Sequence, residues 1–120
     1  MAKRILFVDD EIDVMRVTIF RLIKAGYEVV TASDGLSVLE LLKKTAFDLV
    51  ILDVRMPGIP GDEVCKNIKS DDQLKHTPVI LFTASIQKLE ERVDEACADG
   101  FLVKPFESEQ LLEKVKKLIG

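Results

Sequence analysis

Five short apolar runs recur along the chain, and longer amphipathic stretches separate them. The runs cover residues 5–8, 28–32, 49–52, 79–82 and 101–103. They are rich in Val, Ile, Leu and Phe and do not alternate apolar with polar residues, which is typical of strands buried on both faces of a parallel sheet. The pattern therefore predicts five parallel strands with helices between them.

The stretches between the runs carry apolar residues at helical spacing. Helices are predicted over residues 14–24, from Asp34-Gly35 onward, and over 61–70, 89–97 and 111–119. The buried stripe of the first helix is predicted to consist of Met15, Ile19, Leu22 and Ile23. Such a regular strand and helix alternation predicts a doubly wound (βα)5 domain of the α/β class, with helices on both faces of the sheet.

Length and charge limit the possible functions. A chain of 120 residues with 48% hydrophobic residues suits one core, so we expect a single domain over residues 1–120. A net charge of −4 argues against direct binding of nucleic acid, which usually needs a basic patch. No apolar run approaches the roughly 20 residues of a membrane span. We therefore expect a cytoplasmic protein with no membrane segment.

Polar residues follow four of the five predicted strands. They are Asp9 and Asp10 after the first run, Asp53 after the third, Thr83 after the fourth and Lys104 after the fifth. The carboxyl ends of parallel strands meet at one edge of the sheet, where doubly wound proteins bind their ligands. We therefore expect these five side chains to form one site.

The predicted site has the chemistry of phosphoryl transfer. Three carboxylates repel one another unless a cation is shared, and oxygen ligands of this charge suit Mg²⁺. Lys104 offers a positive charge and Thr83 a hydroxyl donor, which together with the metal would clamp a phosphoryl group. Asp53 stands alone on its strand and is the best candidate for the nucleophile, whereas Asp9 and Asp10 are better placed to hold the metal.

Each residue also has a simpler explanation. The acidic residues after the first run could stabilise a helix N-terminus, and Asp53 could be a turn residue. Thr83 could begin a helix-capping segment, and Lys104 could be an ordinary solvated lysine. These explanations must all hold at once, each at the same end of its strand, so a joint site is the better hypothesis.

The sequence resembles the receiver (response regulator) family of two-component signalling systems over essentially its whole length. The resemblance rests on Ile-Leu-Phe-Val-Asp-Asp-Glu at 5–11, Asp-Leu-Val-Ile-Leu-Asp-Val-Arg-Met-Pro-Gly at 48–58, Thr83-Ala84, and Phe-Leu-Val-Lys-Pro-Phe at 101–106. It implies a sheet with strand order 2-1-3-4-5. It also implies a regulator that accepts a phosphoryl group rather than an enzyme with a separate substrate.

The resemblance assigns a role to each residue of the predicted site. It implies Asp53 as the phosphoacceptor, Asp10, Asp53 and the Arg55 backbone carbonyl as direct Mg²⁺ ligands, Asp9 as a ligand acting mostly through water, and Thr83 and Lys104 as contacts of the phosphoryl oxygens. The donor would be a phosphohistidine on a histidine kinase or phosphotransfer protein. The regulator would also hydrolyse its own aspartyl phosphate slowly.

The resemblance further implies a switch that couples Thr83 to the ring of Phe101. The hydroxyl would move toward the phosphoryl group and the ring would turn inward, changing the surface of the fourth helix, fifth strand and fifth helix. That surface would control a downstream target protein or a fused output domain. This chain has Phe at the ring position, where Tyr is common in the family.

Two rival functions remain. A receiver-like interaction module that acts without phosphorylation would keep the fold, but the complete set of five polar residues argues against it. A haloacid-dehalogenase-like phosphatase also uses an aspartate nucleophile and Mg²⁺, but it needs an Asp-x-Asp motif after the first strand and a cap domain. The chain has Asp9-Asp10-Glu11 at that position and no spare length.

Overall fold

The computed structural model describes residues 2–84 and 98–120. Its strands are β1 (Arg4–Val8), β2 (Glu28–Ala32), β3 (Leu49–Asp53), β4 (Val79–Thr83) and β5 (Gly100–Val103). All neighbouring pairs are parallel, and the order across the sheet is β2-β1-β3-β4-β5. The doubly wound prediction and the strand order implied by the resemblance are thus confirmed.

The described helices follow the strands as predicted. They are a short 3-10 helix (Ile12–Met15), α1 (Arg16–Lys24), α2 (Gly35–Lys44), α3 (Gly61–Ser70) and α4 (Ser108–Ile119). The helix predicted at 89–97 lies outside the described residues, so α4 corresponds to the fifth predicted helix. Within the described ranges, no helix combines the length and apolarity needed to cross a membrane.

Helices cover both faces of the sheet and create two hydrophobic cores. One core joins Val38 of α2 and Val64 of α3 to the sheet, and the other joins Leu22 of α1 and Leu111 of α4 to it. Side chains alternate between the faces along each strand, so neighbouring strand residues contribute to different cores. Every residue of β3 is buried, which places its final residue in a desolvated position.

Two details of the predicted burial are wrong. The edge strands β2 and β5 are only partly buried, because an edge strand has a neighbour on one side only. The helical spacing predicts Ile23 in the buried stripe of the first helix, but this residue is 51% exposed. It shares the outward face with Phe20 and Val17, which stand three and six residues before it, whereas Leu22 points into the core.

Local sequence signals explain where two helices begin. The Asp34 side chain accepts a hydrogen bond from the Ser37 backbone N–H at 2.8 Å, which caps α2 and holds the pKa of Asp34 below its usual value. At α4, Glu107 and Gln110 form a reciprocal capping box. These caps satisfy backbone donors that the first helical turn leaves unpaired.

A lysine and an aspartate tie α3 to the start of β4 and β5, at the edge opposite the strand carboxyl ends. Lys69 Nζ lies 2.7 Å from Asp99 Oδ2 and 2.9 Å from the Thr77 carbonyl oxygen. The same Asp99 oxygen accepts the Val79 backbone N–H at 2.8 Å. The Lys69 side chain is 17% exposed, so this ion pair is largely shielded from water.

We expect Lys69→Met to lower the free energy of unfolding by about 2 kcal/mol, because it leaves Asp99 and the carbonyl acceptors without their charged donor. Urea denaturation measures the change. Lys75→Met is the matched control, since its ion pair with Asp72 is exposed and should contribute less than about 0.5 kcal/mol. Equal effects of the two substitutions would contradict this interpretation.

Candidate functional site

Three aspartates meet at the carboxyl edge of the sheet. Asp9 directly follows β1 and is fully buried, Asp53 ends β3 and is 5% exposed, and Asp10 is exposed. One carboxylate oxygen from each can be chosen such that all three lie within 4.8 Å of one another. The parallel sheet thus brings together the acidic residues that the sequence predicted at one edge.

Lys104 lies between the two buried carboxylates. Its Nζ is 3.2 Å from Asp9 Oδ2 and 3.2 Å from Asp53 Oδ2. The Lys104 side chain is 30% exposed, whereas the carboxylates are almost completely buried. A single ammonium group therefore neutralises part of the charge of two acids and remains reachable from solvent.

Backbone N–H groups hold the other oxygen of each buried carboxylate. The Glu11 N–H donates to Asp9 Oδ1 at 2.8 Å, and the Arg55 N–H donates to Asp53 Oδ1 at 3.0 Å. Both donors stand two residues after the acid that they contact, in the turns that follow β1 and β3. The two carboxylates are consequently oriented alike: one oxygen of each accepts a backbone N–H, and the other faces Lys104.

The remaining predicted residues lie at the same edge or near it. Thr83 ends β4 and is buried, and its carbonyl oxygen accepts the Lys104 backbone N–H at 2.7 Å. Arg55 is exposed, beside Asp53 in sequence. Phe101 pairs with Leu81 in the sheet register, two residues before Thr83, and its ring is 45% exposed with Lys114 Nζ 6.0 Å from its centroid.

Burial and charge act against each other on the ionisation of this site. Burial raises the pKa of the Asp53 carboxyl above its usual value, although the Arg55 N–H and the Lys104 ammonium oppose that change. Burial alone would lower the pKa of Lys104, but the negative charges of Asp53 and Asp9 outweigh it, and the pKa is raised. The site therefore holds more negative charge than one lysine can balance.

The raised pKa of Asp53 predicts a pH-dependent effect of Asp53→Asn on stability. A carboxyl whose pKa is higher in the folded state contributes stability below its unfolded pKa, and that contribution is lost as the pH rises through the folded pKa. In buffer containing a metal chelator we expect Asp53→Asn to be more stable than the wild type at pH 7, with the difference shrinking as the pH falls toward about 4. Urea midpoints across this range measure it, and a pH-independent difference would contradict the prediction.

Comparison with known proteins places the chain in a family. The sequence model of the response regulator receiver domain matches residues 5–116. The chain belongs to this family. Receiver domains are phosphorylation-dependent signalling switches rather than classical enzymes.

Relatives and solved structures agree with this membership. The chemotaxis protein CheY-3 of Vibrio cholerae is 40% identical over 119 residues, which cover 96% of this chain and 90% of the relative. The response regulator TrrA of Thermotoga maritima, solved in complex with Mg²⁺ and BeF, is 41% identical with a TM-score of 0.86, covering 97% of this chain and 98% of TrrA. The receiver domain of sensor histidine kinase PA1611 from Pseudomonas aeruginosa PAO1, solved with a magnesium ion in its active-site cleft, is 26% identical with a TM-score of 0.91, covering 100% and 99% of the two chains.

The donor set of this receiver domain fits a hard divalent cation. Its three clustered groups are all carboxylates, and two are buried with one oxygen each turned to a single ammonium. Mg²⁺ prefers oxygen ligands and usually retains several waters, which the exposed side of Asp10 allows. The residues present therefore match the requirements of a magnesium site.

Two residues that shape the site were missed by the sequence reasoning. Phe82 lies under Lys104, with its ring centroid 4.9 Å from Nζ. Gly61 begins α3 so close to β3 that an added Cβ would lie 2.0 Å from the Asp53 carbonyl oxygen. The position of Phe82 directly before Thr83 was the one sequence signal that could have placed it at the site. The close approach of α3 to β3 has no sequence signal, because it depends on the folded chain.

Proposed function

We propose that residues 1–120 form one receiver domain, which accepts a phosphoryl group on Asp53 in a Mg²⁺-dependent reaction. The observation that carries this proposal is the shared contact of Lys104 Nζ with Asp53 Oδ2 and Asp9 Oδ2, each at 3.2 Å. It puts one carboxylate oxygen of Asp53 beside a cation and a carboxylate cluster at the carboxyl edge of the sheet. That combination suits transfer of a negatively charged group to an acid.

In the proposed reaction an oxygen of Asp53 attacks the phosphorus of the donor. The new bond joins Asp53 Oδ to phosphorus, the bond from phosphorus to the donor atom breaks, and the donor leaves with the electron pair of that bond. The Arg55 N–H orients the Asp53 carboxylate, which it contacts at 3.0 Å. The Lys104 ammonium and the Thr83 hydroxyl would neutralise and bind the phosphoryl oxygens as they arrive.

Asp10, Asp53 and the Arg55 carbonyl would hold Mg²⁺ directly, and Asp9 would act mostly through water. When bound, the ion supplies positive charge that offsets the repulsion between the carboxylates and the incoming phosphoryl group. Lys104 alone faces two buried acids in the described site, so added positive charge is needed before another anion can enter.

The proposed output is a change at the surface of β5 and its neighbouring helices. Thr83 and Phe101 would act as the switch pair, and because Phe101 is 45% exposed, an inward turn of its ring would change the surface of β5. We propose a histidine kinase or phosphotransfer protein as the donor and a target protein or fused output domain as the recipient of the signal. The cytoplasmic location stays a prediction.

Intact mass measurement after incubation with acetyl phosphate tests this proposal. We expect one phosphoryl adduct when Mg²⁺ is present, and none when a chelator removes the ion, because the carboxylates then repel the anionic donor. The adduct should decay in hours or less, since acyl phosphates hydrolyse. A chain that folds but forms no adduct with Mg²⁺ would instead support the phosphorylation-independent interaction module.

A further inference from the structure

The ammonium of Lys104 has a third contact besides the two carboxylates. Its Nζ lies 4.9 Å from the centroid of the Phe82 ring, within the range of a cation–π interaction. Phe82 is fully buried, and its register partner on β3 is Asp53, so the two side chains leave the same face of the sheet. The ring thus forms a floor under the site, next to the acceptor.

Two further aromatic rings hold Phe82 in place. Phe7 on β1 lies at a centroid distance of 5.8 Å with the ring planes tilted by 40°, and Phe106 lies at 5.8 Å in an edge-to-face arrangement. Phe7 stands two residues before Asp9, and Phe106 stands two residues after Lys104. The row of three rings therefore connects the segments that carry Asp9 and Lys104 through the interior.

A lysine side chain needs such support to work at a defined position. Its four-carbon stem can adopt many rotamers, and an ammonium is a point charge without the rigid fork of arginine. Two carboxylates at equal distances of 3.2 Å would let the group follow whichever acid moves or gains a ligand. A fixed ring face underneath supplies an attraction that does not depend on either acid.

We propose that Phe82 is a positioning residue. Its ring face holds the Lys104 ammonium beside Asp53 while the N–H groups of that ammonium exchange the carboxylates for the phosphoryl oxygens as hydrogen-bond acceptors. The inference deepens the proposed function and rests on it for the phosphoryl step. The placement of Lys104 over the ring does not depend on phosphorylation. The two parts can therefore be tested separately.

The placement is tested by NMR on the unphosphorylated, metal-free protein. Protons above an aromatic ring face are shifted upfield, so the ε-methylene protons of Lys104 should resonate upfield of those of solvated lysines. Replacement of Phe82 by pentafluorophenylalanine keeps the ring shape but reverses the charge distribution of its face. We expect the shift to collapse in this variant, and its retention would overturn the proposal.

The functional part is tested by the rate of phosphorylation with acetyl phosphate and Mg²⁺. We expect the pentafluorophenylalanine variant to react roughly three- to tenfold more slowly. In a Lys104→Met background the same replacement should have no further effect, because the cation that the ring holds is gone. An equal slowing in both backgrounds would show a merely structural role and overturn the proposal.

Phe47→Leu is the matched control for loss of aromatic packing. Phe47 is 8% exposed and belongs to the core on the other face of the sheet, so this variant should lose stability without losing phosphorylation rate. If the wild type itself forms no adduct, the proposed function fails. The NMR comparison still decides whether Phe82 positions Lys104.

Discussion

Asp53→Asn is expected to abolish the phosphoryl adduct that acetyl phosphate and Mg²⁺ produce on the wild type. Asparagine keeps the shape of the side chain, but its amide oxygen carries no negative charge and is a poor nucleophile. The substitution also removes one of the three clustered carboxylates that would hold the metal. Intact mass spectrometry after a fixed incubation measures the adduct.

The fold of this variant should survive, so the loss cannot be attributed to unfolding. Asp53 is buried and its pKa is raised by that burial, which means that a neutral residue at this position is well tolerated. Asp72→Asn is the matched control, because the Asp72 side chain is 96% exposed and pairs with Lys75. It should keep the full adduct. An unchanged adduct in the Asp53 variant would assign the acceptor to another residue.

Gly61→Ala is expected to destabilise the protein by about 3 kcal/mol or more, although alanine is the better helix former by roughly 1 kcal/mol. The added Cβ would lie 2.0 Å from the carbonyl oxygen of Asp53 and 2.8 Å from its carbonyl carbon. Both are backbone atoms of a fully buried strand, and they cannot move aside without displacing Asp53. The steric clash therefore outweighs the gain in helix propensity.

Gly100→Ala is the matched control for this prediction. Its new Cβ would meet only the Ile80 side chain at 3.6 Å, an ordinary contact, so stability should change by less than about 1 kcal/mol. Urea denaturation of the two variants measures the difference. Equal midpoints for Gly61→Ala and the wild type would show that α3 can shift away from β3, contrary to the close contact described above.

The fold was predictable because the buried parallel sheet has a direct sequence signature. Continuous apolar runs predicted the strands, and Asp9, Asp53 and Lys104 were grouped because parallel strands end at one edge. That grouping required no knowledge of distances. The structure adds that Lys104 contacts both acids equally, at 3.2 Å.

The features that escaped prediction depend on how elements approach one another. Ile23 was misplaced because apolar residues lie on two faces of α1, and periodicity alone does not say which face meets the sheet. The sequence predicts Phe82 only as part of an apolar run, since nothing in the neighbouring residues indicates a cation above its ring. The sequence predicts Gly61 only as the start of a helix, whereas the structure shows that the missing side chain leaves space for the Asp53 carbonyl.

The shared lysine suggests why the proposed site would need a bound metal ion before it accepts an anion. Each buried acid has one oxygen on a backbone N–H and the other on Lys104, so the carboxylates are oriented without being fully neutralised. Under the proposed function, a divalent cation would offset this excess of negative charge, which would leave the lysine free to bind phosphoryl oxygens. The backbone N–H groups and Lys104 thus orient the carboxylates, whereas full neutralisation of their charge requires a further cation.

Chemical mapping of the phosphorylated residue tests the central claim most directly. Borohydride reduces an aspartyl phosphate to homoserine, which survives proteolysis and can be located by peptide mass spectrometry. After incubation with acetyl phosphate and Mg²⁺, we predict homoserine at position 53 and at no other aspartate. Homoserine at position 9 or 10, or a phosphoryl group that resists reduction on another residue type, would contradict the assignment of Asp53 as the acceptor.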